Sequence, residues 1–309
     1  LELALTNRDQ SGGITPEFSN SPNYVLDAWI AWNFAGNFKI QFGQGKLPGN
    51  RERVISSANL QFVDRSRLNS RFNLDRDVGL QLKHHFNPFG NFEIREVVAL
   101  SQGEGRNVTA GYFGAFDYTF RMEFLPFGSF QSKGDYIGSS IVSEEKPKLS
   151  IGLTYDINDR MVRERGQLGD FIQDSLGLYT GKRVDSFHAD LMFKYKSWSL
   201  MAEYAERDAF DGNPLITDES GNVLGEYYTG NAINAQLGFM FADGWEAAVR
   251  YTDVNPDEEV DNDEDQYTLG LSRFVVGHKL KVQTDFTLID EHDSSNDGFM
   301  WRTQVEIHL

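Results

Sequence analysis

Polar and apolar residues alternate along most of this chain. Between residues 116 and 124 the order is Phe-Asp-Tyr-Thr-Phe-Arg-Met-Glu-Phe. Successive side chains of a β-strand point to opposite faces of the sheet. The pattern therefore predicts strands with one apolar and one charged face, and it recurs in residues 187–195, 198–204, 233–241, 245–251 and 301–309.

The alternation predicts fourteen strands. The clearest runs are about 9–12 residues long, the length that a tilted strand needs to cross a bilayer. Strands of soluble proteins are usually shorter, about 5–6 residues. The predicted strands are residues 1–8, 23–34, 38–45, 77–86, 91–101, 116–125, 148–156, 185–195, 198–207, 231–241, 245–254, 266–275, 279–290 and 298–309.

The connections between these strands alternate in length. Short turns at one rim and long loops at the other are typical of outer-membrane barrels, with the short turns in the periplasm. Residues 126–147 depart from this rule, because they are long but fall at the periplasmic rim. The short turns are 35–37, 87–90, 196–197, 242–244 and 276–278, and the long loops are 9–22, 46–76, 102–115, 157–184, 208–230, 255–265 and 291–297.

This organisation predicts an all-β protein, a single transmembrane antiparallel up-and-down β-barrel over residues 1–309. In lipid every backbone N–H and C=O must be paired, and closure of the sheet removes the unpaired edges. No run of 18 apolar residues exists, so no transmembrane helix is predicted. The sequence begins directly with a strand pattern, so we expect it to start inside a structural element.

Aromatic residues near strand ends fit the interfacial girdles of such a barrel. They are Trp29, Trp32, Tyr112, Tyr204, Trp245, Tyr251 and Trp301. A soluble β-sandwich, in which these side chains would form a core, is the rival interpretation.

Composition narrows the class of protein further. The chain has 309 residues, no cysteine and a formal net charge of −17. The lack of cysteine excludes a disulfide framework and thiolate metal sites. The acidic balance argues against a nucleic-acid partner, because phosphates would be repelled. Aromatic residues reach 13% in a chain with a polar average composition, as expected for a lipid-facing wall around a wet lumen.

Five segments resemble a known family in their order and spacing. They read Gln-Phe-Gly-Gln-Gly-Lys-Leu-Pro (41–48), Phe-Val-Asp-Arg-Ser (62–66), Asp-Arg-Asp-Val-Gly (75–79), Phe-Leu-Pro-Phe-Gly (124–128) and Lys-Pro-Lys-Leu-Ser-Ile-Gly (146–152). Together they resemble the phosphate-selective porin O and P family, in the form seen in Bacteroidetes-type bacteria. The resemblance covers most of the chain and is patchy in the loops.

The resemblance implies a sixteen-stranded homotrimeric porin in a Gram-negative outer membrane. Residues 1–9 would match the third strand of the family, so two N-terminal strands would be missing from this sequence. The chain departs from the pattern at Leu309, where outer-membrane proteins often end in an aromatic residue. The basic residues behind phosphate selection in the family also have no one-to-one match here.

The long loop 46–76 carries an unusual positive charge. It contains seven bases against three acids, although the whole chain is acidic. We hypothesise that it folds into the lumen, narrows the pore and presents its bases to anions, since a fixed positive field offsets the desolvation of an anion. The candidate constriction and anion-binding residues are Lys46, Arg51, Arg53, Arg65, Arg67, Arg71 and Arg76.

In the alternative interpretation, these bases pair with acids on the barrel wall or on a neighbouring subunit. The candidate wall acids are Asp27, Glu93, Glu123, Glu246, Asp285 and Glu306. Alternation also places a set of bases on the lumen wall, where cross-strand ion pairs would balance most of them. These bases are Lys39, Lys83, Arg95, Arg121, Lys194, Arg250, Lys281 and Arg302.

The sequence therefore predicts a porin for passive diffusion of small polar solutes, with a preference for anions such as phosphate. Its surroundings would be outer-membrane lipid and lipopolysaccharide. We expect no enzymatic activity and no cofactor or metal site, because the six histidines are scattered and no Gly-x-Ser-x-Gly motif occurs. The alternative is a non-conducting or partner barrel, which anchors or docks other outer-membrane or surface proteins.

Overall fold

The computed structural model describes residues 2–3, 25–108, 115–242, 244–292 and 297–308. Its regular elements are almost all strands. Within these residues the strands are β1 (Glu2–Leu3), β2 (Val25–Ala35), β3 (Phe38–Lys46), β4 (Arg76–Phe89), β5 (Phe92–Ser101), β6 (Asp117–Leu125), β7 (Glu144–Met161), β8 (Arg163–Arg165), β9 (Leu168–Phe171), β10 (Lys182–Lys196), β11 (Trp198–Ala209), β12 (Leu215–Thr217), β13 (Val223–Glu226), β14 (Gly230–Ala242), β15 (Trp245–Pro256), β16 (Glu264–Phe274), β17 (Leu280–Glu291) and β18 (Gly298–Ile307).

Fourteen of these strands form one antiparallel sheet in the order β1-β2-β3-β4-β5-β6-β7-β10-β11-β14-β15-β16-β17-β18, so each pairs with the next of the fourteen along the chain. The remaining four form the small hairpins β8–β9 and β12–β13 in two of the long loops. Two short helices, α1 (Arg51–Val54) and α2 (Arg67–Phe72), lie in the loop between β3 and β4. Two 3₁₀ turns are found at Ser57–Asn59 and Gln131–Tyr136. Among the described residues, no helix is long and apolar enough to span a bilayer.

The sheet confirms the strands that alternation predicts. Only Glu2–Leu3 of the predicted first strand falls within the described residues. The largest difference is β7, which was expected at 148–156 and spans Glu144–Met161. Its extra residues belong to the long connections on either side, which continue the ladder before they turn away.

Cross-strand register assigns each side chain to one wall, because directly paired residues of antiparallel strands share a face. Phe42, Leu80, Leu100 and Tyr118 form one such row, and all four are exposed. This apolar, exposed row is the lipid-facing wall of a membrane barrel.

The alternate row lies on the other wall. Lys39 pairs with Lys83, Lys83 with Val97, and Val97 with Arg121. The predicted arrangement, apolar outside and polar inside, is confirmed.

The inner wall curls around the loop 46–76. Arg51 of this loop contacts Glu123 on β6. Asp64 of the same loop lies 3.8 Å from Arg302 on β18, at the other end of the sheet. One loop can reach both halves of a fourteen-stranded sheet only if the sheet wraps round it. The fold is therefore an up-and-down barrel, although no ladder between β1 and β18 is found among the described residues.

Candidate functional site

Residues 46–76, called here the inward segment, lie against the inner wall and are fixed there by buried arginines. Arg51, in α1, is fully buried. Its Nε lies 2.9 Å from Asp190 Oδ1, and its Nη1 lies 3.2 Å from Glu123 Oε1. Burial alone would lower the pKa of Arg51, but these carboxylates raise it above its usual value. The guanidinium is therefore charged and neutralised locally.

Arg121 on β6 completes this arrangement. Its Nη1 lies 2.7 Å from Asp190 Oδ2, and its Nη2 lies 2.8 Å from Glu123 Oε1. The same Nη1 donates to the carbonyl oxygen of Gly49 at 2.8 Å. Arg51, Arg121, Glu123 and Asp190, called here the charge cluster, carry no net charge. The cluster joins the inward segment to β6 and β10.

The connection 126–147 meets the inward segment at this level. Tyr136 Oη donates to Glu123 Oε2 at 2.6 Å, and the Arg51 guanidinium lies 5.2 Å from the centroid of the tyrosine ring. The backbone N–H of Gly138 donates to the carbonyl oxygen of Asn59 at 2.7 Å. Length alone marked this connection as unusual in the sequence, and its alternation pattern gave no sign that it reaches the lumen.

The middle of the inward segment crosses to the opposite wall. Gln61 Nε2 donates to Ser199 Oγ and to Glu246 Oε1, each at 2.9 Å. Phe62 packs on Gly270, where a Cβ atom would lie 2.9 Å from the phenyl ring. Glycine at this position of β16 therefore lets the ring approach the wall.

Helix α2 holds the last part of the inward segment. Ser66 caps its N-terminus by accepting a hydrogen bond from the Asn69 N–H at 3.3 Å. Leu68 and Phe72 are fully buried in an apolar cluster of the inner wall. That cluster includes wall residues Ala205, Ala232 and Val254, which explains why the polar face of these strands is interrupted there.

Five of the seven candidate bases in the inward segment have an acid partner. Arg51 pairs within the charge cluster, and Arg53 pairs with Asp75 inside the segment. The remaining pairs are Arg67 with Glu264 at 2.7 Å, Arg71 with Asp261 at 3.2 Å and Arg76 with Asp27 at 2.7 Å. For these five bases the geometry matches the pairing alternative.

Lys46 and Arg65 differ from the other five. Lys46 Nζ donates to the carbonyl oxygens of Arg53 and Ile55, at 3.0 and 3.2 Å. Arg65 Nε donates to the carbonyl oxygen of Glu52 at 3.1 Å. Burial and the neighbouring Arg53 lower the pKa of Arg65, as expected where positive charge is in excess. No carboxylate lies within ion-pair distance of either base among the described residues.

Most bases of the inner wall are also balanced by acids. Besides Arg121, the pairs include Arg95 with Glu93, Lys281 with Glu306 and Arg302 with Asp285, at 2.7, 3.0 and 2.9 Å. Arg250 Nη1 lies 3.7 Å from Glu52 Oε1, and Lys194 Nζ donates to the carbonyl oxygen of Ile137 at 2.8 Å.

Lys39 and Lys83 have no such partner in the described part of the chain. Lys83 Nζ donates to Gln41 Oε1 at 3.2 Å, and Lys39 Nζ lies 5.5 Å from the ring centroid of Trp29.

Exposure of the inner wall is uneven. Glu123 on β6 and Asp285 on β17 are buried beneath the inward segment. On β2–β4, Asn33 is exposed and Lys39 and Lys83 are half-buried. The inner wall around Asn33, Lys39 and Lys83 is therefore less buried than the part beneath the inward segment, and this region is called here the open side.

Two of these inner-wall residues were missed or misplaced in the sequence interpretation. Asp190 occupies a polar position of an alternating run, so alternation could have identified it as a wall acid. Trp29 was predicted in the lipid-facing girdle, but it shares a face with Lys39, and that prediction is wrong. Trp32, Tyr204, Trp245, Tyr251 and Trp301 do lie on the outer wall, and Tyr112 lies outside the described residues.

Several known proteins are similar to this chain. A curated relative is an uncharacterized protein of Aquifex aeolicus, 25% identical over 314 residues, which covers 92% of this chain and 68% of the relative. A loop-deletion mutant of the outer-membrane protein OmpT of Vibrio cholerae is 14% identical, with a TM-score of 0.47 over 85% of this chain and 73% of its own. A porin structure refined at 1.8 Å is also 14% identical, with a TM-score of 0.48 over 87% and 77%.

A family model gives the broadest match. The model of the phosphate-selective porin O and P family matches residues 4–305, nearly the whole chain. An apolar outer wall and a polar inner wall are typical of barrels of the bacterial outer membrane. This chain belongs to the phosphate-selective porin O and P family.

Proposed function

We propose that this outer-membrane porin favours small anions, such as phosphate, among the polar solutes that diffuse through it. The proposal rests on one observation: bases in two parts of the inner wall differ in whether a carboxylate pairs with them. Most bases beneath the inward segment pair with carboxylates, although Lys194 and Arg207 donate to carbonyl oxygens instead. In the described part of the chain, no carboxylate lies within ion-pair distance of Lys39 or Lys83 on the open side. A solute that follows the open side would therefore meet uncompensated positive charge.

Lys46 and Arg65 extend this positive field towards the inward segment. Both donate to carbonyl oxygens, and among the described residues no carboxylate lies within ion-pair distance of either one. Burial and the neighbouring Arg65 lower the pKa of Lys46 to about 7, so Arg65 is the more constant of the two charges. Ammonium and guanidinium groups can replace part of the hydration shell of an anion, which lowers the cost of its passage. The field of these four bases favours anions although the whole chain is acidic.

We further propose that the inward segment is the constriction of the pore. It is held between the charge cluster on one wall and Gln61 with Glu246 on the other, so it crosses the lumen as a fixed strut. The width of the passage beside the inward segment would then set the size limit for solutes. The bases of the open side would set which charge of solute is preferred.

Neutralising both lysines of the open side should reduce anion selectivity. In the variant K39Q/K83Q we expect the chloride-to-potassium permeability ratio to fall roughly threefold, because two fixed charges leave the passage. The measurement is the reversal potential of single channels in a planar bilayer under a KCl gradient.

The matched control is K182Q/K196Q, which removes one lysine that donates to Asp211 in a loop and one exposed lysine at the short turn 196–197. It should leave the reversal potential unchanged. Cation selectivity of the natural protein, or an equal shift in both double variants, would contradict the anion proposal.

Loss of the charge cluster should release the constriction. In Arg51→Gln the buried carboxylates Asp190 and Glu123 lose one of two cations, which costs about 3–5 kcal/mol for a buried pair. We expect a larger and noisier unit conductance, measured in the same bilayer system.

Arg67→Gln is the control for this experiment. Its ion pair with Glu264 is partly exposed and contributes only about 0–1 kcal/mol. This variant should keep the natural conductance. A constriction elsewhere would be indicated if Arg51→Gln conducted as the natural protein does.

We also infer from family membership that the porin is a homotrimer. Light scattering of the purified protein in detergent, corrected for bound detergent, should give three times the mass of the chain. A monomer mass at concentrations where the channel is active would refute the trimer.

One observation favours the second candidate function, a non-conducting or partner barrel. The inner wall from β6 to β17 is buried beneath inward-folded residues, so little of it meets water. If the open side is also closed, the protein will insert into bilayers without any conductance. The bilayer recording therefore separates the two functions directly.

A further inference from the structure

A cavity of about 360 Å³ lies at the rim that carries the short turns. Its lining comes mainly from the connection 126–147 and the turn 276–278, with Asn59 of the inward segment beside them. A Cβ atom on Gly277 would lie 3.9 Å from Cγ2 of Ile141, so the turn and the connection approach each other closely here. The volume falls within the range of small-molecule sites, about 300–1,000 Å³. The cavity is therefore large enough for a small organic ligand.

The apolar part of the cavity wall is aliphatic. Ile137, Ile141 and Val142 contribute from the connection, and Val276 contributes from the turn. Val142 is 40% exposed and Val276 is 58% exposed, so this apolar surface can be reached from outside. Among the described residues that line the cavity, none is a phenylalanine, tyrosine or tryptophan. The wall therefore suits a hydrocarbon chain better than a ligand that needs an aromatic stacking partner.

A buried ammonium group belongs to the lining of this cavity. Lys194 on β10 is 2% exposed, and its Nζ donates to the carbonyl oxygens of Ile137 and Ser139 at 2.8 and 2.5 Å. An ammonium group has three N–H donors. For the third donor no acceptor is found among the described residues. A buried donor without a partner is unfavourable, so this N–H is suited to a ligand oxygen.

The charged residues that line the cavity are bases. They are Lys194, His278, Lys279 and His308, and within the described part of the chain no acid lines it. The acids that act on Lys194 through space are Glu246, Asp135 and Glu144. Each of these accepts a hydrogen bond from another group, namely Ser139 Oγ, the Arg95 guanidinium and the backbone N–H of Gln131. A chain with a net charge of −17 thus encloses a cavity with positive lining.

A second ammonium group lies at the cavity. Lys279 is exposed, and no carboxylate in the described residues lies within ion-pair distance of it. The neighbouring His278 bonds to the protein, since its Nε2 lies 3.1 Å from the carbonyl oxygen of Gly138 and its Nδ1 lies 3.4 Å from Lys281 Nζ. Burial and Lys281 lower the pKa of His278 to about 4, so its ring is neutral. The attraction for an anion therefore comes chiefly from Lys194 and Lys279.

We propose that this cavity binds aliphatic carboxylates of medium chain length, such as octanoate. The hydrocarbon chain of the ligand lies against Ile141, Val142 and Val276, and the field of the two lysines holds its carboxylate. A charge-assisted hydrogen bond from Lys194 and the removal of aliphatic surface from water both stabilise the complex. The bases of the open side take no part in this site, so the inference goes beyond the proposed anion preference and does not depend on it.

The experiment is equilibrium dialysis of radiolabelled octanoate against the full-length porin in phospholipid nanodiscs, with empty nanodiscs as the blank. We expect saturable binding above the blank. Val276→Asp places a carboxylate in the aliphatic wall and should weaken binding roughly tenfold or more, because like charges then meet. Val223→Asp is the matched control, since Val223 is 55% exposed in the β12–β13 hairpin and does not line the cavity. It should bind octanoate as the natural protein does.

Two further measurements keep the test sharp if Val276→Asp folds poorly. Lys279→Gln changes an exposed side chain and should weaken octanoate about fivefold, the effect of one exposed charge contact, while Lys182→Gln should not. Unlabelled octanoate should compete with the labelled ligand. Octanol, which has the chain without the charge, and acetate, which has the charge without the chain, should each compete poorly.

Equal binding by Val276→Asp and Val223→Asp, or competition by octanol equal to that by octanoate, would overturn the proposed site. Binding that is found in detergent and is absent in nanodiscs would assign the cavity to a membrane lipid and would overturn it too. These outcomes are independent of the reversal potential. A cation-selective channel that still binds octanoate at this cavity would refute the anion preference of the passage and keep the site. An anion-selective channel without such binding would do the reverse.

Discussion

The charge cluster of Arg51, Arg121, Glu123 and Asp190 determines the arrangement of everything inside the barrel. Two guanidinium groups and two carboxylates are buried together, with N–O distances of 2.7 to 3.2 Å. Removal of any one member would leave an uncompensated buried charge. The inward segment is therefore tied to β6 and β10, and its remaining residues must cross the lumen from that point.

This attachment divides the inner wall into two regions with different electrostatics. Beneath the segment, most charges are paired and buried, so they stabilise the structure and contribute little to the field that a solute meets. On the open side, Lys39 and Lys83 are half-buried, and no carboxylate among the described residues pairs with them. A chain with a net charge of −17 can thus carry a positive passage, because most of its acids lie elsewhere. The sign of the passage follows from local pairing and not from composition.

Most of the fold could be predicted from sequence because a membrane barrel imposes a period of two on every strand. That period fixes strand number, approximate bounds and the inner position of bases such as Arg121 and Arg302. It fails where both faces are apolar. Around Trp29 the sequence reads Ala-Trp-Ile-Ala-Trp, so alternation assigns no face to the ring, and only the pairing with β3 does so.

Contacts between residues that lie far apart in the chain could not be predicted from the sequence either. The seven bases of the inward segment were identified, but nothing local separates Arg51, which is neutralised, from Arg65, which is not. The difference depends on which wall residues each one reaches, and Asp190 lies 139 positions from Arg51 in the chain. The inward course of residues 126–147 was missed for the same reason, since their contacts with Arg51 and Asn59 have no local pattern.

The most direct test of the division into a covered wall and an open side is thiol accessibility. The chain has no cysteine, so single replacements can be read without background. The exposed Asn33 and the buried Asn234 both lie on the inner wall, and each would be replaced by cysteine. We predict that N33C reacts from water, faster with a sulfonate-bearing than with an ammonium-bearing methanethiosulfonate, and that N234C does not react. Equal reaction of both sites, or faster reaction of N33C with the cationic reagent, would contradict a positively charged passage beside a covered wall.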